Sequence, residues 1–310
     1  MKAYQYKMKG HIEQCVDKYL ELAKVERNKI SKAITPCMDD HLIPPEEFEV
    51  KGELSPVAAR VVLKALYVAR IARYDIMWTV NVLAREVTRW TAACDRRLHR
   101  LISYMHHSVD WAQTCYVGDA PSQCWLCLFS DASFAGDLRD SKSTSGGLLC
   151  LVGPNTYVPL SWLCKKQGAV SHSTAEAEVI SLDTGIRLEG LPALSLWDLV
   201  IDVFEPLASK KETPKLSFPE RELLQRKSFD MLEAVDYVPP SLPITYGRAK
   251  LYALEDNDAV IKMIVKGRSP NLRHVGRTHR VDLDWPFERI NKDPMSLLSM
   301  SALKNSWQTS

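Results

Sequence analysis

Two short apolar runs, each running into an acid, constrain this chain more than any other feature of its 310 residues. Trp125 to Phe129 leads into Ser130-Asp131, and Leu251 to Leu254 leads into Glu255-Asp256. Runs of that length bounded by polar residues read as buried strands, and the acid that follows falls at the rim of a sheet. Between them, Ser173-Thr-Ala-Glu176-Ala-Glu178 opens a long helix. Three acids, Asp131, Glu178 and Asp256, are therefore expected to converge from two strands and a helix. Clustered carboxylates repel one another unless a cation holds them, and two Mg2+ (or Mn2+) ions about 4 Å apart are the usual arrangement for phosphodiester cleavage. Metal-dependent nuclease chemistry is the leading expectation, with the three acids as catalytic metal ligands.

Composition narrows the alternatives. An apolar content of 46% is ample for a buried core, while a net charge of +2 gives no global electrostatic case for nucleic acid, so that case rests on local patches. Eight cysteines lie in or beside apolar runs, without the dense spacing of a disulfide scaffold, which points to a reducing compartment. Cys124 and Cys127 form a C-x-x-C, yet no second pair follows at zinc-ribbon spacing and the residues between them belong to a strand, so both are read as structural. No signal peptide and no apolar run of membrane-spanning length is evident. The expectation is a soluble intracellular protein, cytoplasmic or nuclear, with no membrane partner.

Along the chain, residues 1–50 combine a helix over Gly10 to Val25 with a polar linker ending at Leu42-Ile-Pro-Pro-Glu-Glu47. Residues 51–115 are helical, since Val57, Val61, Val62, Ala65, Leu66 and Ala69 recur at helical spacing and Leu98, Leu101, Ile102 and Met105 do so again. Nine lysines and arginines stand against four acids between Arg60 and Asp110, an excess that either steers a phosphate backbone or simply solvates a helix face. From 121 to 293 strands alternate with turns before helix takes over: Trp125 to Phe129, Gly147 to Val152 and Tyr157 to Leu163 are strands, with turns at Ser143 to Gly147 and Val152 to Asn155. A helix runs from Thr174 toward Val203, interrupted near Gly190-Leu-Pro192. Six of the seventeen prolines fall between Pro206 and Tyr246, which marks a loop or insertion at 206–246. A strand, a helix from Asn257 to Val265 and a helical run near Val281 to Ile290 follow. The fold class is α/β in the α+β sense, a mixed sheet with flanking helices.

Glu176 and Glu178 compete for one role. Glu176 stands at the third helical position, where it reaches back to the Ser173 amide as a cap, whereas Glu178 is free to face the sheet, so Glu178 is preferred. Singly, each acid also has a plain reading: Asp131 as a turn former, Asp256 as a helix cap, Glu178 as surface. A second constellation spans Ala259 to Val281, where Lys262, Lys266, Arg268, Arg273, Arg277 and Arg280 occur with no acid between them; with Lys165 and Lys166 these are the candidate phosphate contacts. A solvated basic surface is the competing reading.

The order of these motifs resembles the C-terminal part of the Pol polyprotein of copia-type LTR retrotransposons. The matching segments are Ser130 to Asp137, Ser143 to Gly147, Leu160-Ser-Trp162 with Lys165-Lys-Gln167, Ser173 to Glu178, Glu255-Asp-Asn257 and Arg277 to Asp282. Ala58 to His107 is similar to the connection between polymerase and ribonuclease H in that family. The resemblance implies a ribonuclease H-like mixed sheet preceded by a helical connection-like segment. It implies hydrolysis of the RNA strand of an RNA/DNA hybrid, with the 2′-hydroxyls read across the minor groove, and assigns metal binding to Asp131, Glu178 and Asp256. The rest of a Pol polyprotein is an implied partner.

Two departures stand out. No Tyr-x-Asp-Asp polymerase signature occurs, so DNA synthesis is not expected. Family members continue past the segment matching Arg289 to Asp293 into a strand and a helix carrying a fourth acid, whereas residues 294–310 form a divergent tail without that match. The fourth carboxylate is expected to be missing, Asp282 and Asp284 being poor substitutes. The rival expectation is a catalytically inactive remnant that still binds nucleic acid.

Overall fold

The computed structural model describes residues 1–136, 140–206, 247–267, 272 and 274–292, with the backbone of 296–300 in addition. Two buried apolar clusters organise these residues. The first is built by helices α1 (Lys9–Ala23), α2 (Ala58–Ile71), α3 (Met77–Arg85) and α4 (Ala92–His107). In α2 the residues Ala58, Val61, Val62, Ala65, Val68 and Ala69 are buried, while Arg60, Lys64 and Arg70 face solvent, the stripe that a one-sided helix requires. Ile12, Cys15, Val16 and Tyr19 of α1 enter the same cluster as Leu98, Leu101, Ile102 and Met105 of α4. The first residues of the chain are thus packed onto the helices that follow.

Charges in this helical unit are largely matched within the protein. Arg96 pairs with Glu47 at 2.5 Å, Arg97 with Asp40, Arg89 with Glu86 at 3.0 Å, and Arg100 donates to the Thr35 carbonyl at 3.0 Å. Arg73 is buried, donating to Asp75 at 2.7 Å and to the Ser108 carbonyl at 3.0 Å, with the rings of Tyr104 and Trp111 each 5.6 Å away. Five of the basic side chains that suggested a phosphate-binding face therefore have internal partners.

The second cluster lies against a seven-stranded sheet made of β1 (Lys2–Lys7), β2 (Ala112–Val117), β3 (Trp125–Ser133), β4 (Thr144–Gly153), β5 (Thr156–Lys166), β6 (Leu251–Glu255) and β7 (Ser296–Met300). The strand order is β1-β2-β5-β4-β3-β6-β7. From β1 through to β3 the pairings are antiparallel, whereas β3–β6 and β6–β7 are parallel, so the sheet is mixed as expected. Leu126 and Leu128 of β3, Leu149 and Leu151 of β4, and Leu251 and Ala253 of β6 share one face by the period of two. Helices α5 (Thr174–Gly185) and α6 (Leu191–Phe204), joined by a π-helical turn over Ile186–Gly190, cover that face. The interruption read near Gly190 is this turn. Gly190 permits the close approach: a Cβ there would stand 2.9 Å from a Leu251 methyl carbon.

Beyond β6 come α7 (Asp258–Lys266) and α8 (Asp284–Lys292). The helical unit meets the open face through Trp162, whose indole donates to the Ala69 carbonyl at 2.8 Å, and Asn81, which donates to the Cys164 carbonyl at 2.9 Å.

Several expectations need correction. Thr144 to Gly147 is not a turn but the start of β4, where Gly147 and Gly146 pair with Ser130 and Asp131; glycine there leaves the backbone of β4 uncovered beside the acid. β1 and β2 extend the sheet where no strand was expected. The segment after residue 295, read as a tail without an element, supplies β7 in parallel register with β6. The proline-rich stretch lies almost wholly outside the described residues, as do Arg268 and Arg273. Cys124 and Cys127 are both buried free thiols. Among the described residues no helix is long and apolar enough to cross a membrane.

Candidate active site

Helix α5 explains how a carboxylate comes to be held at the rim of this sheet. Glu176 through Asp183 are all buried, so the helix has no solvated side and each polar group on it must find a partner inside the protein. Ser181 donates to the carbonyls of Asp131 at 2.7 Å and Gly146 at 3.1 Å, which locks α5 across β3 and β4. Asp183 pairs with Arg187 at 3.0 Å, and Arg187 lies 4.2 Å from the Trp285 ring. Gln167, also buried, donates to Ser145 Oγ at 3.0 Å and to the Ala177 carbonyl at 2.9 Å, joining the end of β5 to β4 and α5.

The two glutamates have different surroundings. Ser173 caps α5 by accepting from the Glu176 amide at 3.1 Å, as the pattern predicts. The Glu176 carboxylate does not return to the Ser173 amide, however: it accepts from the His172 amide at 2.8 Å and from His274 Nε2 at 3.2 Å. His279 Nε2 lies 3.2 Å from the same carboxylate oxygen, at an angle that makes no hydrogen bond. Glu176 therefore ties the start of α5 to the segment before α8. Glu178, two residues further along α5, lies close enough to the Ala132 amide for it to favour the charged carboxylate, while its buried Oε2 has no partner. Burial first, then the charges of Glu255, Asp131 and Asp256, push its carboxyl up to about 8.

Asp131 and Asp256 are brought together. β3 and β6 run parallel with Phe129 beside Leu254, so the two aspartates leave adjacent strands at the same height. Both are exposed, and both line one cleft of about 430 Å³ with Phe129, Leu148, Leu254, Gly146 and Gly147 on the face opposite α5. Asp256 is not the cap of α7. Asn257 takes that task, accepting from the Ala259 and Val260 amides at 3.0 and 3.4 Å, which leaves the Asp256 carboxylate unclaimed by the helix.

Sequence reasoning passed over Glu255. It is fully buried; its Oε1 accepts from the Asn257 amide at 3.2 Å and its Oε2 has no partner. Burial raises its carboxyl to about 7, the charges of Asp256 and Asp131 adding to the rise and amide hydrogen bonds opposing it. The alternation Leu251, Ala253, Glu255 is the signal that points it inward, beneath α5.

Four carboxylates thus form two pairs at one end of the sheet, an exposed pair and a buried pair. All their donors are hard oxygens, the chemistry that Mg2+ or Mn2+ prefers, and two of those oxygens are partnerless. Among the described residues no three His, Cys, Asp or Glu side chains stand close enough together to hold an ion as they are. The kind of donor, rather than the present spacing, is what suits a divalent cation here.

The basic candidates lie on several elements. Lys166 pairs with Asp140 at 2.8 Å, while Lys165 is exposed beside it at the end of β5. Lys262 and Lys266 are exposed on α7, and Arg277 and Arg280 are exposed on the segment leading to α8.

Over 152 residues, 49% of this chain, the sequence is 30% identical to the retrovirus-related Pol polyprotein from transposon RE2 of Arabidopsis thaliana and 31% identical to that from transposon RE1. The chain spans 10% of the length of each of these curated relatives. It is also 31% identical over 123 residues to the secreted RxLR effector protein 161 of Plasmopara viticola, a stretch covering 38% of this chain and 78% of that protein. The chain belongs to the same family as that protein. Half of it is homologous to retrovirus-related Pol polyproteins of transposons, in agreement with the resemblance carried by the motifs. No family model matches the chain, and no solved structure matches it.

Proposed function

We propose that this chain is a retrotransposon-derived piece of a Pol polyprotein whose sheet is of ribonuclease H type, and that it hydrolyses the RNA strand of RNA/DNA hybrids. The observation that carries this reading is the emergence of Asp131 and Asp256 side by side from adjacent parallel strands, with the buried Glu178 near enough to feel both charges. The strand order β5-β4-β3-β6-β7, antiparallel and then parallel, supports the fold assignment, and the Pol homology supports the origin.

In this reading Asp131, Glu178 and Asp256 hold two Mg2+ or Mn2+ ions. Bound there, the ions supply activation of water and stabilisation of the leaving 3′ oxygen. The chain's own contribution is placement. Ser181 fixes the height of α5, and with it Glu178, against β3, and Asn257 frees Asp256 by capping α7 in its place. Gly146 and Gly147 carry no side chain over the open face, so a sugar-phosphate backbone is able to reach Asp131 there. Lys165, Lys262, Lys266, Arg277 and Arg280 are the described basic residues available to phosphates.

A catalytically inactive nucleic-acid-binding remnant is the second reading, favoured by one observation: among the described residues no three acids converge as they stand. Incubating the chain with a labelled hybrid in Mg2+ or Mn2+, beside Asp131→Asn, Glu178→Gln and Asp256→Asn, separates the two. Cleavage abolished in all three variants supports the nuclease. Binding of the hybrid without cleavage by folded wild-type protein supports the remnant.

A further inference from the structure

We infer that Glu255 is a fourth cation-holding carboxylate, forming with Glu178 the buried half of a site whose exposed half is Asp131 and Asp256; this rests on the nuclease reading above and extends it to a residue outside the three acids. Three buried oxygens lack a hydrogen-bond partner at this end of the sheet: Glu178 Oε2 on α5, Glu255 Oε2 on β6 and Ser130 Oγ on β3. The pairing of Phe129 with Leu254 puts Ser130 beside Glu255, and both side chains share the face that α5 covers. Buried polar atoms in folded proteins are nearly always satisfied, so three partnerless oxygens on three elements at one end of the sheet point to a group that coordinates them. A divalent cation of the Mg2+ and Mn2+ class fits, because carboxylate and hydroxyl oxygens are its preferred ligands.

The division of labour follows from burial. Glu255 is fully enclosed and held by the Asn257 amide, and Glu178 is enclosed on α5, so these two fix where the ion sits. Asp131 and Asp256 are exposed and free to turn toward it. Glu255 thereby gives the site a fourth acid from β6 itself.

The test is a titration of the full chain with Mn2+, following the free ion by electron paramagnetic resonance, for the wild type, Glu255→Gln and Asp131→Asn. Glutamine is isosteric with the protonated acid, and circular dichroism reports whether the variants are folded. Weakening of Mn2+ binding by about tenfold or more in Glu255→Gln, as in Asp131→Asn, is the expected result. Binding that is lost in Asp131→Asn yet unchanged in Glu255→Gln overturns the inference and leaves the nuclease reading standing. Failure of the wild type to bind Mn2+ overturns both. Anomalous scattering from a Mn2+-soaked crystal of the wild type answers without any variant: an ion touching a Glu255 oxygen supports the assignment, and an ion confined to the two aspartates refutes it.

Discussion

Replacing Glu178 by Gln should stabilise the cation-free protein, and by an amount that depends on pH. The carboxyl of Glu178 is raised from its ordinary 4.5 to about 8, chiefly by burial and then by Glu255, Asp131 and Asp256. Below pH 4.5 the folded and unfolded chains both keep the proton, and Glu and Gln are nearly equivalent. Between pH 4.5 and about 8 the unfolded chain releases the proton while the folded chain holds it, so wild-type stability falls as pH rises through this window. At about 1.4 kcal/mol per tenfold change in proton affinity, the full rise corresponds to about 5 kcal/mol, an upper bound because Glu255 shares the same environment. The gain of Glu178→Gln should therefore be near zero at pH 4.5 and several kcal/mol at pH 8, read from urea denaturation followed by circular dichroism in a chelator. With saturating Mn2+ the order should invert, because the ion stabilises only the chain that retains its ligand. A difference independent of pH, or a variant less stable than wild type at pH 8 without cation, refutes the reasoning.

Other consequences follow from the same structure. Glu176→Ala should cost about 1–3 kcal/mol in urea denaturation, since it removes the fully buried acceptor of the His172 amide and of His274, while leaving Mn2+ affinity unchanged. Arg73→Lys should lower stability by about 3 kcal/mol or more, because a lysine cannot reach Asp75 and the Ser108 carbonyl together from between the rings of Tyr104 and Trp111; a shift in thermal midpoint checks this. Gly190→Ala should destabilise by about 1–3 kcal/mol through the clash with Leu251, and a second change of Leu251→Val should recover part of the loss in a double-mutant cycle.

What was legible beforehand was what periodicity encodes. The meander of β3, β4 and β5, the strand β6, the helices α2 and α4 and the cap at Ser173 all show apolar spacing or a local capping pattern. β1 escaped because all six of its residues are exposed, so no alternation of apolar and polar side chains marks it. β2 carries a single buried residue, Cys115, and is held by pairing with β1 and β5 more than by its own pattern. The start of β4 looked like a turn because glycine has two uses, and only the pairing with Asp131 reveals which applies. At the site, the preference for Glu178 over Glu176 rested on a cap geometry that the structure replaces: the Glu176 carboxylate is engaged by the His172 amide and His274 rather than by the Ser173 amide. Glu255 was hidden by its neighbour, since the exposed Asp256 draws attention to itself and only the register of β6 shows that the residue before it points inward.

The central claim is that Asp131, Asp256 and Glu178 make this chain a nuclease acting on RNA in a hybrid. Its most direct test is single-turnover cleavage of one duplex labelled in turn on its RNA and its DNA strand, with Mg2+, by wild type and Asp131→Asn. Cutting confined to the RNA strand, leaving 3′-hydroxyl ends and lost in the variant, is the predicted result. Cutting of both strands alike, or equal cutting by wild type and variant, contradicts the account.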